Sequence, residues 1–349
     1  MRKDGEPQAS FRRLETDGRK VETRRRVANK HKRRQLGGVG LKAWVVGLVG
    51  VVALGVLLLT LVFGSRRGNR IPVFPHGHRY IFVASPGRAG SGFLRNVFGC
   101  AKGVLSRHEP APKMNGHVLE EVLIRGRRQE SFPRRSEEKL KGISEDLLGY
   151  PMGTVYVETS HMMIKTFLDV VLDSIAAEGV QVDIVILHRD PLEAIRSQSR
   201  LGWFHSSHSG RNSWYFSVSD LHHTERMGIS IRKDALSTKY SRLAEVVAYN
   251  ADHERRVQSI IGKGESGFLP PSVKVSQVNL EDLNKISAVG AFLESLNLEV
   301  DDAKLAILFS MDKNSRDRKK KDMLSQAEDS VLASILDSYS LTSRKRKTL

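Results

Sequence analysis

A single cysteine, Cys100, stands in a chain of 349 residues. No disulfide can close within it, and no cysteine-based zinc site can form. The 12 histidines do not pair at metal-ligand spacing on an evident helix. No Asn-x-Ser/Thr glycosylation acceptor occurs, and there is no internal repeat. No Gly-Lys-Ser/Thr stands where a nucleotide-triphosphatase loop needs it, which speaks against a Mg-dependent ATPase, GTPase or kinase of that design. Acidic residues are also scarce beside basic ones: 39 Asp and Glu against 56 Lys and Arg, a formal charge of +17.

The charge is divided by an uncharged stretch, residues 43–64, rich in Val, Leu and Gly. At ~1.5 Å per residue it would make roughly 33 Å of helix, enough to cross a hydrocarbon core. Residues 1–42 hold 14 Lys and Arg against 5 Asp and Glu, a net +9, leaving +8 for the remainder. The positive-inside rule then puts the N-terminus in the cytosol and the larger part across the membrane, a type II single-pass arrangement. The basic tail is expected to be disordered near anionic lipid heads. Nucleic-acid binding is the competing account of that tail, weakened by its lack of interleaved aromatics. Residues 65–77 read as a linker, 78–340 as one catalytic-sized α/β domain, and 341–349 as a basic tail.

Two segments roughly a hundred residues apart carry the chemistry. In the first, Tyr80 to Ala84 is an apolar, partly β-branched run suited to a strand covered on both faces. Pro86 and Gly87 break it, Gly90 and Gly92 permit close backbone approach, and Ser91-Gly92 opens a helix marked by Phe93, Leu94, Val97 and Phe98. A helix start of this kind binds anions, with Arg88 adding a fixed positive fork and Ser91 a hydroxyl. In the second, Ile184 to Leu187 is another buried run, ending in His188-Arg189-Asp190-Pro191. Asp190 suits an N-cap and Pro191 the first helical position. Arg189 thus sits at the end of a strand, and Ser197 lies about two turns into the next helix. Either segment alone is an ordinary strand–turn–helix joint. Together they suit a nucleotide with two separated anionic groups.

Other stretches offer acid–base groups. Ser106 to Pro112 should run extended from the first helix toward the sheet edge and carries His108 and Glu109, both possible bases. Thr154 to His161 reads as a strand followed by Ser160 as a helix cap, with Met163, Phe167 and Val171 as a core stripe. Glu158 and His161 there could contact an acceptor or assist a base, or simply belong to the joint. Trp203 and Phe204, with the loop through 213, could form a lid or pack in the core. Residues 234–263 read as a long amphipathic scaffold helix and 273–278 as a strand. Arg316 and Lys319 lie in a late basic run.

Pro86 to Leu94 and the Arg189-Asp190-Pro191…Ser197 pattern resemble the PAPS-dependent sulfotransferases, particularly the membrane-anchored carbohydrate type. The resemblance covers residues 78–325 in general layout and is specific over the two motifs. It implies an α/β fold, a P-loop-like parallel sheet flanked by helices, here preceded by one transmembrane helix, in the Golgi membrane with a lumenal domain. It implies PAPS as donor and PAP as product, with no metal, and a carbohydrate or other hydroxyl acceptor. Arg88, Ala89, Gly90, Ser91, Gly92 and Phe93 would hold the 5′-phosphosulfate, with Arg88 also steadying charge as the donor leaves. Arg189 and Ser197 would hold the 3′-phosphate. A Glu serves as base in one branch and a His in the other, so Glu109 is favoured and His108 second. Ala89 and Gly92 depart from the usual Ser and Ser/Thr, which leaves room for a membrane-tethered protein that binds PAP without turnover.

Overall fold

The computed structural model describes residues 76–204, 211–226 and 241–310, together with Leu332 and Leu336. The expected spanning segment, the basic tails, most of the linker, and Arg316 and Lys319 lie outside the described residues. Among the described residues no helix is long and apolar enough to cross a membrane.

Five strands, β1 (Arg79–Ala84), β2 (Val104–His108), β3 (Val155–Thr159), β4 (Val182–His188) and β5 (Val273–Asn279), form one sheet in the order β2-β3-β1-β4-β5. Every pairing is parallel. Six described helices of eight residues or more are labelled α1 (Ser91–Phe98), α2 (Arg128–Leu147), α3 (Pro191–Arg200), α4 (Ser241–Glu265), α5 (Ile286–Ser295) and α6 (Asp302–Ser310). The α/β expectation with a parallel sheet is borne out.

Side-chain alternation along the central strand builds two cores. Tyr80, Phe82 and Ala84 face one layer, with Tyr156, Ile184 and Ile186 beside them and Leu140, Ile143, Val247 and Ile260 of α2 and α4 above. Ile81 and Val83 face the other, with Val157, Val185 and Leu187, under Leu94 and Val97 of α1, Val289 and Leu293 of α5, and Leu305 of α6. A period of two divided between two apolar layers gives a strand buried on both faces, as the run Tyr80 to Ala84 requires.

The chain leaves β1 toward the β2 side of the sheet and leaves β4 toward β5, so connections diverge between β1 and β4. Open α/β sheets bind ligands in such a crevice, at the carboxyl ends of the strands.

The structure refines three sequence expectations. Ser106 to His108 belongs to the edge strand β2, and only Glu109 to Pro112 is loop. The long helix is described from Ser241, and it reaches Glu265. Glu158 faces no open site. It shares a strand face with Tyr156, directed into the first core, where Lys139 of α2 donates to Oε1 at 2.7 Å and Tyr156 to Oε2 at 3.2 Å. Both charged side chains are 1% exposed.

Removing one member of so buried a pair leaves a charge without its partner. Glu158→Leu should cost about 3–5 kcal/mol, and Lys139→Met with Glu158→Leu should recover most of it. Urea denaturation of the three proteins checks this; equal losses in the single and double variants would contradict it. His253, buried in α4, has no hydrogen-bond partner at Nε2 among the described residues. Burial holds its imidazole well below the ordinary value, with Lys165 and other cations pushing the same way. Below pH ~6.5 the unfolded state then binds more protons than the folded state, so stability falls with pH, by up to about 1.4 kcal/mol per unit for each such group. Denaturation at pH 7.5 and 5.5 should show the loss, reduced in His253→Gln; identical slopes in both proteins would contradict it.

Candidate active site

β1 delivers the loop Ser85 to Gly90 to the crevice. Three of its residues take left-handed backbone: Gly87 at φ 76, Arg88 at φ 58 and Gly90 at φ 90. For Arg88 this conformation is strained, and such strain persists only where surroundings enforce it. Those surroundings are specific. Gln198 Nε2 donates to the Gly87 carbonyl at 3.1 Å, and Asn250 of α4 donates to Gln198 Oε1 at 2.7 Å. Trp203 packs so closely on Gly87 that a Cβ there would lie 2.9 Å from the indole, and Leu280 fills the space beside Gly90.

α1 starts at Ser91, with Gly90 as an N-cap lacking a side-chain acceptor. The helix ladder begins with Leu94 N–H to Gly90 O at 2.9 Å, so the amides of Ser91 and Gly92 precede it. Amides in that position, at the positive end of the helix dipole, attract anions. Gly92 is exposed, and a Cβ would meet only His108 Nε2, at 4.0 Å. Ala89 is fully buried among Ile81, Leu94 and Val97, and Phe93 packs partly buried against the same cluster. The methyl at position 89 therefore faces the core, and the amides beside it are unaffected by the lack of a hydroxyl.

The second motif meets the first directly. Arg189 Nη1 donates to the Arg88 carbonyl at 2.5 Å, and Arg88 Nε donates to Ser197 Oγ at 3.3 Å. Asp190 caps α3, its Oδ1 accepting from Glu193 N–H at 3.0 Å. Burial lowers the Arg189 guanidinium from its ordinary value; Glu193 and Glu281 oppose this, while Arg88 and Arg200 add to it. Arg189 Nη2 also lies 3.9 Å from Glu193 Oε2, so a carboxylate shares the place with the guanidinium groups.

β2 runs into the same rim. His108 Nδ1 lies 2.9 Å from Thr159 Oγ1 and 3.1 Å from the Thr159 carbonyl. A carbonyl only accepts, so Nδ1 bears the proton and Nε2, toward Gly92, carries the lone pair. Glu109 takes left-handed backbone at φ 49. Its Oε1 is 2.5 Å from His161 Nδ1. Burial alone would raise the Glu109 carboxyl. The His161 hydrogen bond and the positive fields of His161, His108 and Lys113 outweigh it and hold the group below the usual carboxylate range. Burial depresses the His161 imidazole despite Glu109.

All ten expected site residues lie in or beside this rim, with Ala89 and Phe93 turned to the core. Gln198, Asn250, Thr159 and Leu280 escaped sequence reading. Only Gln198, next to Ser197, adjoins a motif; the others reach the site through tertiary packing. Trp203 and Phe204 are buried in the first core cluster, and residues 205–210 lie outside the described residues. Among the described residues no cluster of three His, Cys, Asp or Glu could hold a metal.

No family model and no curated protein matches the chain. Among solved structures it is similar to a sulfotransferase domain from the curacin biosynthetic pathway, at 13% identity and a TM-score of 0.39 over 75% of this chain and 97% of that one. It is also similar to a sulfotransferase from Alicyclobacillus acidocaldarius, at 16% identity and a TM-score of 0.34 over 68% of this chain and 98% of that one. Neither likeness is close enough to carry a reaction or a residue role across.

Two glycines of the loop should respond oppositely to a methyl group. Gly87→Ala meets Trp203 and a strained φ and should destabilise by about 1–3 kcal/mol. Gly92→Ala enters open space in a helix and should stabilise by about 0.5–1 kcal/mol. Thermal denaturation distinguishes them; a destabilised Gly92→Ala would mean the first turn is not the helix described.

Proposed function

We propose that the protein transfers a sulfuryl group from PAPS to an acceptor hydroxyl. The observation that carries this reading is the joint of the two motifs, Arg189 bonded to the Arg88 carbonyl and Arg88 to Ser197 at the mouth of the β1–β4 crevice. Arg88 and the amides of Ser91 and Gly92 would take the 5′-phosphosulfate, and Arg189 with Ser197 the 3′-phosphate. Charge-assisted bonds from guanidinium to phosphate are the strong kind, and the site is cationic before any ligand enters.

Transfer needs a base for the acceptor proton. Two observations support His108 ahead of Glu109. The Nε2 lone pair of His108 faces the first turn of α1, whereas the Glu109 carboxylate is engaged by His161 and held at low proton affinity. The acceptor oxygen bonds to sulfur as the sulfur–oxygen bond to the 5′-phosphate breaks. The proton passes to His108 Nε2, and the electron pair leaves with adenosine 3′,5′-bisphosphate. Arg88 and the loop amides steady that leaving charge.

A carbohydrate acceptor, and a type II Golgi anchor through residues 43–64 with the domain lumenal, complete the proposal. They are supported by the sequence resemblance and by the charge asymmetry about the apolar stretch. The second reading, a tethered binder without turnover, is favoured by the missing hydroxyl at Gly92 and has its own signature: bisphosphate binding with no transfer.

Calorimetry should show 3′,5′-ADP binding that survives a chelator and weakens at least tenfold in Arg189→Ala, while His108→Asn binds normally but transfers no label from radioactive PAPS to an acceptor pool. No binding to the wild-type protein would overturn the reading. Binding with no transfer by the wild-type protein to any glycan, peptide or small-molecule pool would establish the binder instead.

A further inference from the structure

His161 follows β3 and is 5% exposed. Because a carboxylate only accepts, the 2.5 Å contact with Glu109 places the proton on Nδ1 and leaves Nε2 with the lone pair. That atom is buried and has no hydrogen-bond partner among the described residues. Rings wall the imidazole: Trp214 at 5.1 Å, Tyr215 at 6.3 Å and Trp203 at 6.5 Å between centroids. On the loop side, a Cβ at Gly87 would lie 3.5 Å from His161 Cγ. A ring held this way has one orientation, and that orientation spends its single donor on Glu109.

Glu109 follows His108 directly, and its strained φ turns the carboxylate back to His161. The fields that reach this couple come from several elements. His108 and Lys113 act on Glu109 from β2 and the loop after it. Lys165, from the turn after β3, acts on His161. Tyr215, which also feels Arg88, and Tyr249 of α4 are phenols that feel the carboxylate.

We propose that His161 is a positioning residue: its Nδ1–H fixes the Glu109 carboxylate beside His108, giving the imidazolium that forms there during transfer a preset counter-ion. This rests on the sulfotransferase reading. It extends that reading to a side chain neither nucleotide motif contains, and it turns Glu109 from a base into an electrostatic partner. Thr159 already orients the His108 ring through Nδ1, so the carboxylate acts through its charge alone, and a second imidazole orders that carboxylate.

The test compares His161→Phe, which keeps a flat ring and removes the donor, with His161→Asn, whose side-chain amide can donate near the Nδ1 position. In His161→Phe, kcat at pH 7 should fall roughly ten- to a hundredfold with the PAPS KM unchanged, and the acid limb of the rate profile should move to higher pH. His161→Asn should stay within a few-fold of wild type. A second readout needs no turnover. In protein labelled with 13C at Glu carboxyls and assigned with Glu109→Gln, the Glu109 midpoint should lie below the ordinary value in wild type and rise in His161→Phe, because burial is then opposed only by His108 and Lys113. Wild-type rates and an unmoved midpoint in His161→Phe would overturn the proposal. So would parallel losses of rate and thermal stability in both variants, the mark of a packing residue. If the wild-type protein transfers no sulfate, the sulfotransferase reading fails and takes the role at His108 with it, while the carboxyl titration still reports whether His161 controls Glu109.

Discussion

One hydrogen bond, from the Arg189 guanidinium to the Arg88 carbonyl, ties the end of β4 to the loop leaving β1. Without it the two basic residues would belong to separate strand–turn–helix joints, each too common to imply a ligand. With it, and with the return contact from Arg88 to Ser197, they form one cationic mouth. The geometry follows from the sheet. β1 and β4 are neighbours in parallel register, Ala84 beside Ile186, so both chains leave the sheet at the same edge. Since their connections then diverge, the mouth stays open.

That mouth is costly to hold, and the structure behind it supplies the restraint. A left-handed Arg88 raises the energy of the loop. Trp203, Leu280 and the Gln198–Asn250 pair brace it from three elements. Deeper in the first core, Arg135 donates to both oxygens of Asp169, at 2.8 and 2.6 Å, and Arg256 bridges Asp252 and Glu225. Such pairs contribute little net stability but fix which arrangement is adopted, a role suited to a site that must be rigid before ligand arrives.

Much of this was legible in the sequence. Tyr80 to Ala84 and Ile184 to Leu187 announce buried strands by unbroken apolar runs, and Asp190-Pro191 announces a helix start; all three are found. The α2 helix was not read. Its mean hydropathy is low, Pro133 lies inside it, and its first half buries Ser131, Arg135, Ser136 and Lys139, so the apolar spacing of Leu140, Ile143 and Leu147 marks only its second half. Glu158 belongs to the strand–helix joint, the second of its two readings, but its partner Lys139 lies on that unread helix. The Glu109–His161 contact joins residues 52 apart on different elements, and no spacing rule predicts it. Motifs survive in sequence because their residues are local; the groups that brace and tune them are brought in by the fold.

The central claim is that the two motifs at the mouth of the crevice grip one molecule. Hydrogen–deuterium exchange of the protein with and without saturating 3′,5′-ADP measures this directly. The account predicts slowed exchange in peptides covering 86–94 and 188–198 together, rising with one common midpoint as ligand is added. Protection of only one of the two segments, or separate midpoints for each, would contradict it.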